Sequence, residues 1–360
     1  MQVEIISDRD RWNGFVDAAA TGNVTQTFEW GELQHHAGDV VRLGAVDDGN
    51  LVGAMLVIIS PTPRLPRPYL YVPRGPVVDD PSSPALAALC AAAVETARER
   101  GAFMLKVEPN VADGDTRWLD ALRQLGFQRN RYATHPRRSW MLDIRPSEDE
   151  LLAGMKEKWR YNIRLAGRKG VTVREASSPE DIDIFYTIYQ ETARRDGFFI
   201  HPKQHYADIL RLYGERDAAV LLLAEYDGVA IAGLVAVRCG PVTTYMFGAS
   251  SNLHRNRMPN HLLQWTAIRW AKARGCTIYD FRAIAEVLDP QEDLYSLYTY
   301  KQGFGGYSFL TLETHDLPYN APLYWAYRRS LDVKRALDRR RHLQSLRQRG
   351  QAVNENKQHA

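Results

Sequence analysis

One succession of elements is legible twice along these 360 residues, and that recurrence limits the fold more than any single motif does. In the first half, residues 3–6 read as a strand, followed by helices over 9–20 and 27–36. Strands follow at 40–47, 51–60 and 69–78, with Asp48-Gly49-Asn50 marking a hairpin between the first two. An Ala-rich helix at 84–100, a buried strand at 103–108, a helix at 118–125 and a strand at 139–144 close the unit. The second half repeats this order. A strand at 171–174 precedes helices at 179–194 and 204–213, then come strands at 219–226, 230–238 and 243–249, with Asp227-Gly228 turning the first pair. A helix at 260–274, a strand at 278–281, a helix at 291–301 and a strand at 307–312 end it. The expected class is α+β, with mixed sheets in two tandem units, 1–147 and 148–316, and a basic segment at 317–360.

Composition narrows the function classes. At 45% hydrophobic and 25% charged, the chain can bury two cores. A net charge of +3 is small for a nucleic-acid binder, yet the cations cluster. Lys156, Lys158, Arg160, Arg164, Arg168 and Lys169 recur at helical spacing ahead of the second unit. Arg328, Arg329, Lys334, Arg335, Arg339, Arg340 and Arg341 crowd the C-terminal segment beside Trp325 and Tyr327. Both runs suit phosphate, and a solvated helix face is the alternative, evenly weighted for the second run. Cys90, Cys239 and Cys276 are scattered without CxxC spacing, so neither a disulfide framework nor a metal site is expected and a reducing cytosol fits. The strand pattern begins at Met1, and the longest apolar run, 51–60, is too short to span a bilayer, so neither a secretory leader nor a membrane span is expected.

The most informative stretch is 277–306. A strand ending Asp280-Phe281-Arg282 brings polar groups to a sheet's carboxyl edge, where open sheets receive ligands. Lys301 then falls between Tyr300 and Gln302-Gly303-Phe304-Gly305-Gly306. A lysine that meets an anionic oxygen benefits from such closely approaching backbone, and the alternative is a surface lysine favoured by a helix C-terminus.

The chain resembles the FemABX family, which transfers an amino acid from aminoacyl-tRNA to the stem peptide of a peptidoglycan precursor. The likeness runs through Trp30-Gly31, Tyr71-Val72-Pro73-Arg74-Gly75-Pro76, the run Lys158-Trp159-Arg160-Tyr161-Asn162 and Thr192-Ala193-Arg194-Arg195-Asp196. It continues in Leu263-Gln264-Trp265, Tyr279-Asp280-Phe281-Arg282 and Tyr300-Lys301-Gln302-Gly303. It implies tandem acetyltransferase-like (GNAT-like) domains with the C-terminal helix folded back on the first. It also implies aminoacyl-tRNA as co-substrate with no bound cofactor, and a peptidoglycan precursor, lipid II or its soluble nucleotide-linked form, as acceptor. A cytoplasmic monomer touching the inner membrane face is the accompanying expectation.

The resemblance further implies roles. Lys301, with Tyr300 beside it, stabilises charge at the ester or the terminal tRNA phosphate. Arg195 meets the precursor's diphosphate, or else pairs with Asp196. Gln264, Arg282 and Arg74 join the substrate-binding set; Tyr245 is read from its place on the fourth strand of the second unit as a hydrogen-bond partner of the acceptor, with a core tyrosine as the alternative; and Glu108 is a candidate base or a structural partner of Lys106 or Arg74. Lys156, Lys158, Arg160, Arg164 and Lys169 are assigned to tRNA. Trp30 is expected to pack between helices. Gln34 departs from a lysine common in the family, which leaves Arg42 or Arg74 to compensate, or a different acceptor.

Two further readings come from the residues. A coenzyme A site needs a glycine-bearing turn whose amides face pyrophosphate, whereas 252–260 contains no glycine and 79–84 is acidic. No Cys-His or Gly-x-Ser-x-Gly arrangement is visible, which agrees with direct attack of an amine on an already activated ester. The alternative activity is N-acyl transfer to another acceptor, an exopolysaccharide amine or a protein N-terminus, with an acyl-CoA donor; a basic RNA-binding module without catalysis comes third.

Overall fold

A computed structural model describes residues 1–34, 38–62, 65–290, 292 and 294–335. Two seven-stranded mixed sheets organise it. The first runs in the order β1 (Gln2–Ile5), β2 (Val40–Asp47), β3 (Asn50–Ser60), β4 (Tyr69–Val72), β5 (Met104–Val107), β14 (Thr314–Pro318) and β6 (Gln128–Asn130). The second runs β13 (Tyr307–Leu310), β7 (Arg138–Asp143), β12 (Ile278–Ala283), β11 (Val242–Ser250), β10 (Val229–Cys239), β9 (Ala219–Tyr226) and β8 (Thr172–Glu175). The α+β class and the tandem acetyltransferase-like order read from the sequence are both present.

The sheets do not divide at residues 147 and 316. The strand expected to close the first unit, β7, lies between β12 and β13 of the second sheet. In return β14, absent from the sequence reading, inserts between β5 and β6 of the first. Each half therefore completes the other's sheet. The reason is visible in β14, where Thr314, His315 and Asp316 are all buried. Such a polar strand carries no hydrophobic alternation, so its signal is a hydrogen-bonding one. Two other boundaries also move: β4 ends at Val72 where a strand to 78 was expected, and the helix expected at 118–125 spans Thr116–Gln124.

Ten helices are used below: α1 (Arg9–Ala18), α2 (Phe28–Gln34), α3 (Pro84–Arg100), α4 (Thr116–Gln124), α5 (Glu148–Gly154), α6 (Glu157–Arg168), α7 (Pro179–Asp196), α8 (Lys203–Gly214), α9 (Pro259–Ala273) and α10 (Tyr295–Lys301). Residues 321–335 are also helical. Expected helical positions 35, 36 and 291, and the cations at 339–341, fall outside the described residues. The ends of α7 follow from local chemistry. Ser178 and Asp181 form a reciprocal capping box, Pro179 supplies the fixed φ of a first turn, and Gly197 at φ 74° takes the left-handed terminating position.

One of the hydrophobic cores belongs to neither half alone. Trp12, Val16 and Leu33 of α1 and α2 pack with Phe185, Tyr206 and Tyr213 of α7 and α8. Thr27 Oγ1 and the Tyr213 hydroxyl, 2.8 Å apart, share a buried hydrogen bond within it. At the far end, Tyr324 and Tyr327 of helix 321–335 pack on Phe103 and Met104 of the first half. The groove between the halves is thus framed by elements fixed from both sides.

Candidate active site

The second sheet opens where β11 and β12 part. These parallel strands pair only from Val242–Ile278 to Thr244–Asp280. Beyond that, β12 bulges against β7 between Asp280 and Ala283, with Arg282 in the left-handed region at φ 61°. The Asp280 carboxylate holds the bulge by accepting the Arg282 backbone N–H at 2.6 Å. On the other side, the register of β11 with β10 slips by one residue at Met246. A pocket opens on each side of this parting.

One pocket, about 240 Å³, lies within the second half and is lined by Lys301, Tyr300, Tyr245, Gln264, Arg195 and Thr192 among others. A narrower one, about 110 Å³, lies between the halves and is lined by Arg74, Arg282, Asp280, Ala283, His135 and Asn110 among others. Lys301 connects them. Its side chain is only 4% exposed, and its Nζ donates to the Ala283 carbonyl at 2.7 Å, so the amine stands at the floor of one pocket against the wall of the other. Burial lowers the Lys301 ammonium from its ordinary 10.5 to about 7, although the Asp280 carboxylate works to raise it. Asp280 is itself pushed up by burial, against the opposing pull of Arg282 and Lys301. An ammonium has three N–H donors, and Ala283 takes one.

The structure brings the sequence candidates together unequally. Tyr300 donates to the Asn260 carbonyl at 3.0 Å, and Gln264 accepts from the Tyr279 hydroxyl at 2.9 Å. Tyr245 faces the same pocket, and burial raises its hydroxyl. Arg195 also lines it, but its fork is engaged: Nε and Nη2 bind Asp196 at 2.9 and 3.0 Å, and Nη1 donates to the Ser250 carbonyl at 2.8 Å. The Asp196 pairing weighed for it is therefore present, at the edge of the pocket. Arg74 and Arg282 both line the narrower pocket, with guanidinium pKa values lowered by burial; Arg74 donates to Thr311 Oγ1 and to the Pro136 carbonyl. Arg42 binds Glu32 at 2.6 Å and the Phe28 carbonyl at 2.9 Å, and so serves the first half internally.

Glu108 stands apart from the Lys301 pocket. Its carboxylate accepts from the Tyr71 hydroxyl at 2.6 Å, the Thr134 amide at 2.6 Å and Thr314 Oγ1 of the exchanged strand at 3.0 Å, with His135 Nδ1 at 3.3 Å. Burial works to raise its pKa, yet His135, Tyr71 and the Thr134 amide outweigh that and hold it down to about 2. A carboxylate so satisfied is a poor proton acceptor, and its partners are these groups, with Lys106 paired instead to Asp316.

The glycine-rich turn also receives a different explanation from the one its sequence suggested. A Cβ on Gly303 would stand 2.1 Å from the Trp159 ring, and one on Gly306 would stand 2.2 Å from the Met141 carbonyl oxygen. The glycines admit the chain's own packing. Trp159 in turn meets His261 and Tyr300, with ring centroids 5.6 and 6.4 Å away, and burial followed by the Lys158 charge lowers His261 to about 4. Asp280, Trp159 and His261 are the site residues that sequence reasoning left unassigned. Asp280 and Trp159 lay inside motifs already singled out, whereas a lone histidine on a helix gave no signal.

Lys156, which precedes α6, and Lys158, Arg164 and Arg168 on it are exposed. Arg160 is not free for a ligand in the same way, since Nη1 donates to the Ala153 carbonyl at 3.1 Å and to that of Met155. Lys169 Nζ donates to the Asn256 carbonyl at 3.1 Å. Among the described residues no three His, Cys, Asp or Glu side chains converge as a metal site, and no helix is long and apolar enough to cross a membrane.

The FemAB family profile matches residues 8–228 and 224–330. The chain belongs to the FemAB family. Within it, the chain is similar to a lipid II:glycine glycyltransferase of Staphylococcus saprophyticus, 26% identical over 382 residues, covering 87% of this chain and 92% of the relative. It is likewise similar to one of Staphylococcus aureus, 27% identical over 387 residues with 87% and 92% covered. The crystal structure of FemX superposes with a TM-score of 0.85 at 25% identity, over 91% of this chain and 100% of that one. A tandem GNAT protein from the clavulanic acid pathway shares the fold at 14% identity and a TM-score of 0.54, over 89% and 99%. In this FemAB-family chain, then, the pocket at Lys301 occupies the parted strands of the second acetyltransferase-like half.

Proposed function

We propose that this protein is an aminoacyltransferase that moves an amino acid from aminoacyl-tRNA to an amino group on the stem peptide of a peptidoglycan precursor. The observation that carries the reading is the position of Lys301, a buried amine between the two pockets, in a family whose similar members are named as transferases acting on lipid II. Under this reading the ester and the acceptor amine approach from opposite sides of the floor that Lys301 forms. The amine nitrogen bonds to the ester carbonyl carbon, the carbon–oxygen bond to the tRNA ribose breaks, and the ribose hydroxyl leaves with a proton. Charged Lys301 stabilises the oxyanion with the donors that Ala283 does not take; with a pKa of about 7 it also exchanges protons near neutrality.

Two features support direct transfer. Burial raises all three thiols, Cys90 to about 12, so no cysteine is poised as a thiolate nucleophile. The helix starts that would cradle pyrophosphate are also unsuited to it: α3 and α9 each begin on a proline, which has no N–H to offer, and Met258 before α9 is itself left-handed at φ 59°.

The test incubates the protein with radiolabelled aminoacyl-tRNA and a muropeptide precursor. Label is expected in the peptide. Transfer from acyl-CoA alone would refute the reading.

A further inference from the structure

The chain crosses from the first sheet to the second in the connection between β6 and β7, and His135 lies in that crossing. The connection is fastened on both sides of the histidine: the Thr134 amide donates to Glu108 Oε1 at 2.6 Å, and the Pro136 carbonyl accepts from Arg74. His135 and Arg282 are the two residues that line both the narrow pocket walled by Ala283 and a further cavity of about 370 Å³ between the halves, bounded by Trp30, Tyr71 and Phe247 among others. The hydrogen bonds around the imidazole fix which nitrogen holds its proton. Glu108, with its pKa held down to about 2, is an acceptor only, and Oε2 takes the single hydroxyl proton of Tyr71 at 2.6 Å. Burial, followed by the Glu108 charge, keeps that proton on the tyrosine. The Tyr71 oxygen, 2.5 Å from His135 Nδ1, is then left to accept, so Nδ1 carries the imidazole proton. The neutral ring therefore has its lone pair on Nε2, which makes no hydrogen bond among the described residues and belongs to a side chain 21% exposed at the junction of the two cavities.

An acceptor amine reaches the site as an ammonium, with an ordinary pKa of about 10.4, and has to lose a proton before its nitrogen can attack. The charged form of Lys301 that stabilises the oxyanion has no lone pair with which to take that proton, and the guanidiniums of Arg74 and Arg282 have none either. Asp280, the remaining carboxylate of the narrow pocket, holds the bulge through the Arg282 amide, and the charges of Arg282 and Lys301 oppose its protonation. We propose that His135 Nε2 is the base that takes the proton from the acceptor ammonium. This deepens the activity proposed above and rests on it. One N–H bond of the ammonium breaks and its proton passes to Nε2. The freed lone pair then bonds to the ester carbonyl carbon, and the carbon–oxygen bond to the ribose breaks with its electrons on oxygen. The ribose oxygen takes a second proton from the same nitrogen, and the imidazolium returns its proton to water, so one proton is released in each turnover. Tyr71 sets the tautomer, which leaves Glu108 as a positioning residue whose charge favours the imidazolium.

The test compares the wild-type protein with His135→Asn, whose side-chain amide keeps an N–H donor toward Tyr71 and Glu108 and has no basic lone pair. Single-turnover transfer from labelled aminoacyl-tRNA is measured to two acceptors, the muropeptide precursor with its amine and an analogue bearing an aminooxy group in its place. An aminooxy nitrogen is far less basic and carries no proton near neutrality, so it needs no base to free it. His135→Asn is expected to lose about 10²-fold on the amine and to stay within about threefold of the wild type on the aminooxy analogue. The ratio of the two rates within one preparation is independent of the folded fraction, so a destabilised variant gives the same answer. Wild-type turnover of the amine by His135→Asn overturns the inference, as does an equal loss on both acceptors, which would mark a structural or binding role. A wild-type protein that transfers to neither acceptor instead counts against the proposed activity itself.

Discussion

Lys106 of β5 and Asp316 of β14 sit opposite each other in register, with Nζ 3.2 Å from Oδ1 and neither side chain more than 1% exposed. The contact is within ion-pair distance, although neither atom has an aligned hydrogen bond. Asp316 Oδ2 additionally accepts from Asn130 Nδ2 at 2.6 Å and the Tyr324 hydroxyl at 3.2 Å. One carboxylate therefore ties the exchanged strand to its new sheet and to helix 321–335. Removing it strands a buried ammonium, so Asp316→Ala is expected to cost about 3–5 kcal/mol in urea unfolding. Lys106→Met combined with Asp316→Leu should recover part of that loss and no more, because Asn130 and Tyr324 keep donors without acceptors. Full stability in Asp316→Ala would show that the exchange is held by backbone pairing alone.

Lys301 makes opposite demands on stability and on activity. Its pKa of about 7 in the folded protein lies below the ordinary 10.5, so across that window the unfolded chain holds a proton that the folded chain has released. Stability from this group therefore rises with pH from about 7 to 10.5, and the burden of the buried charge is full below 7. Lys301→Met keeps the side chain's length and removes the charge. It is expected to melt above the wild type at pH 6, with the difference closing toward pH 10, and to lose about 10²–10³-fold in transfer rate. Circular dichroism melts across pH together with the labelled-transfer assay test both halves; wild-type turnover in the variant would remove Lys301 from the chemistry.

Most of the architecture was written in the hydrophobic pattern, and what was not has particular causes. The hairpins at Asp48-Gly49 and Asp227-Gly228 and the helices bounded by Pro84 and Pro179 announce themselves through turn and cap chemistry. The exchange of β7 and β14 does not, because a strand's own residues state that it will pair and leave its partner to the rest of the fold. At the site, Lys301 was legible from its setting, but the reason for Gly303 was not. That glycine answers to Trp159, a contact between segments far apart in sequence. The depressed pKa of Lys301 likewise comes from tertiary burial beside Asp280 and has no local signature.

Glu108 tests whether a carboxylate near the groove acts or supports. Its folded pKa of about 2 lies below the ordinary 4.5, so its stabilising contribution is complete above 4.5 and disappears as pH falls toward 2. Glu108→Gln is expected to lower stability at pH 7 by about 1–3 kcal/mol through the donors it leaves facing an amide. The acid limb of the wild-type stability profile should flatten in the variant, while the rate of transfer per folded molecule stays within a few fold. A loss on the scale expected for Lys301→Met would instead make Glu108 a catalytic base.

The cations of α6 separate by what they already hold. Lys158 and Arg164 are exposed on the helix, and Tyr161 between them is 53% exposed with the Arg168 guanidinium 5.6 Å from its ring centre, a surface suited to phosphates and a stacked base. Arg160, by contrast, spends its guanidinium on the carbonyls that end α5. If the proposed donor is carried here, Lys158→Gln with Arg164→Gln should weaken aminoacyl-tRNA binding and lower the slope of log affinity against log salt by about 1 per cation removed, with the melting temperature unchanged. Arg160→Ala should do the reverse, lowering the melting temperature through the uncapped carbonyls of Ala153 and Met155 while leaving the salt slope within error of the wild type. Filter binding over a salt series measures the slope for all three proteins. An unaltered slope in the double variant would move the tRNA path off α6.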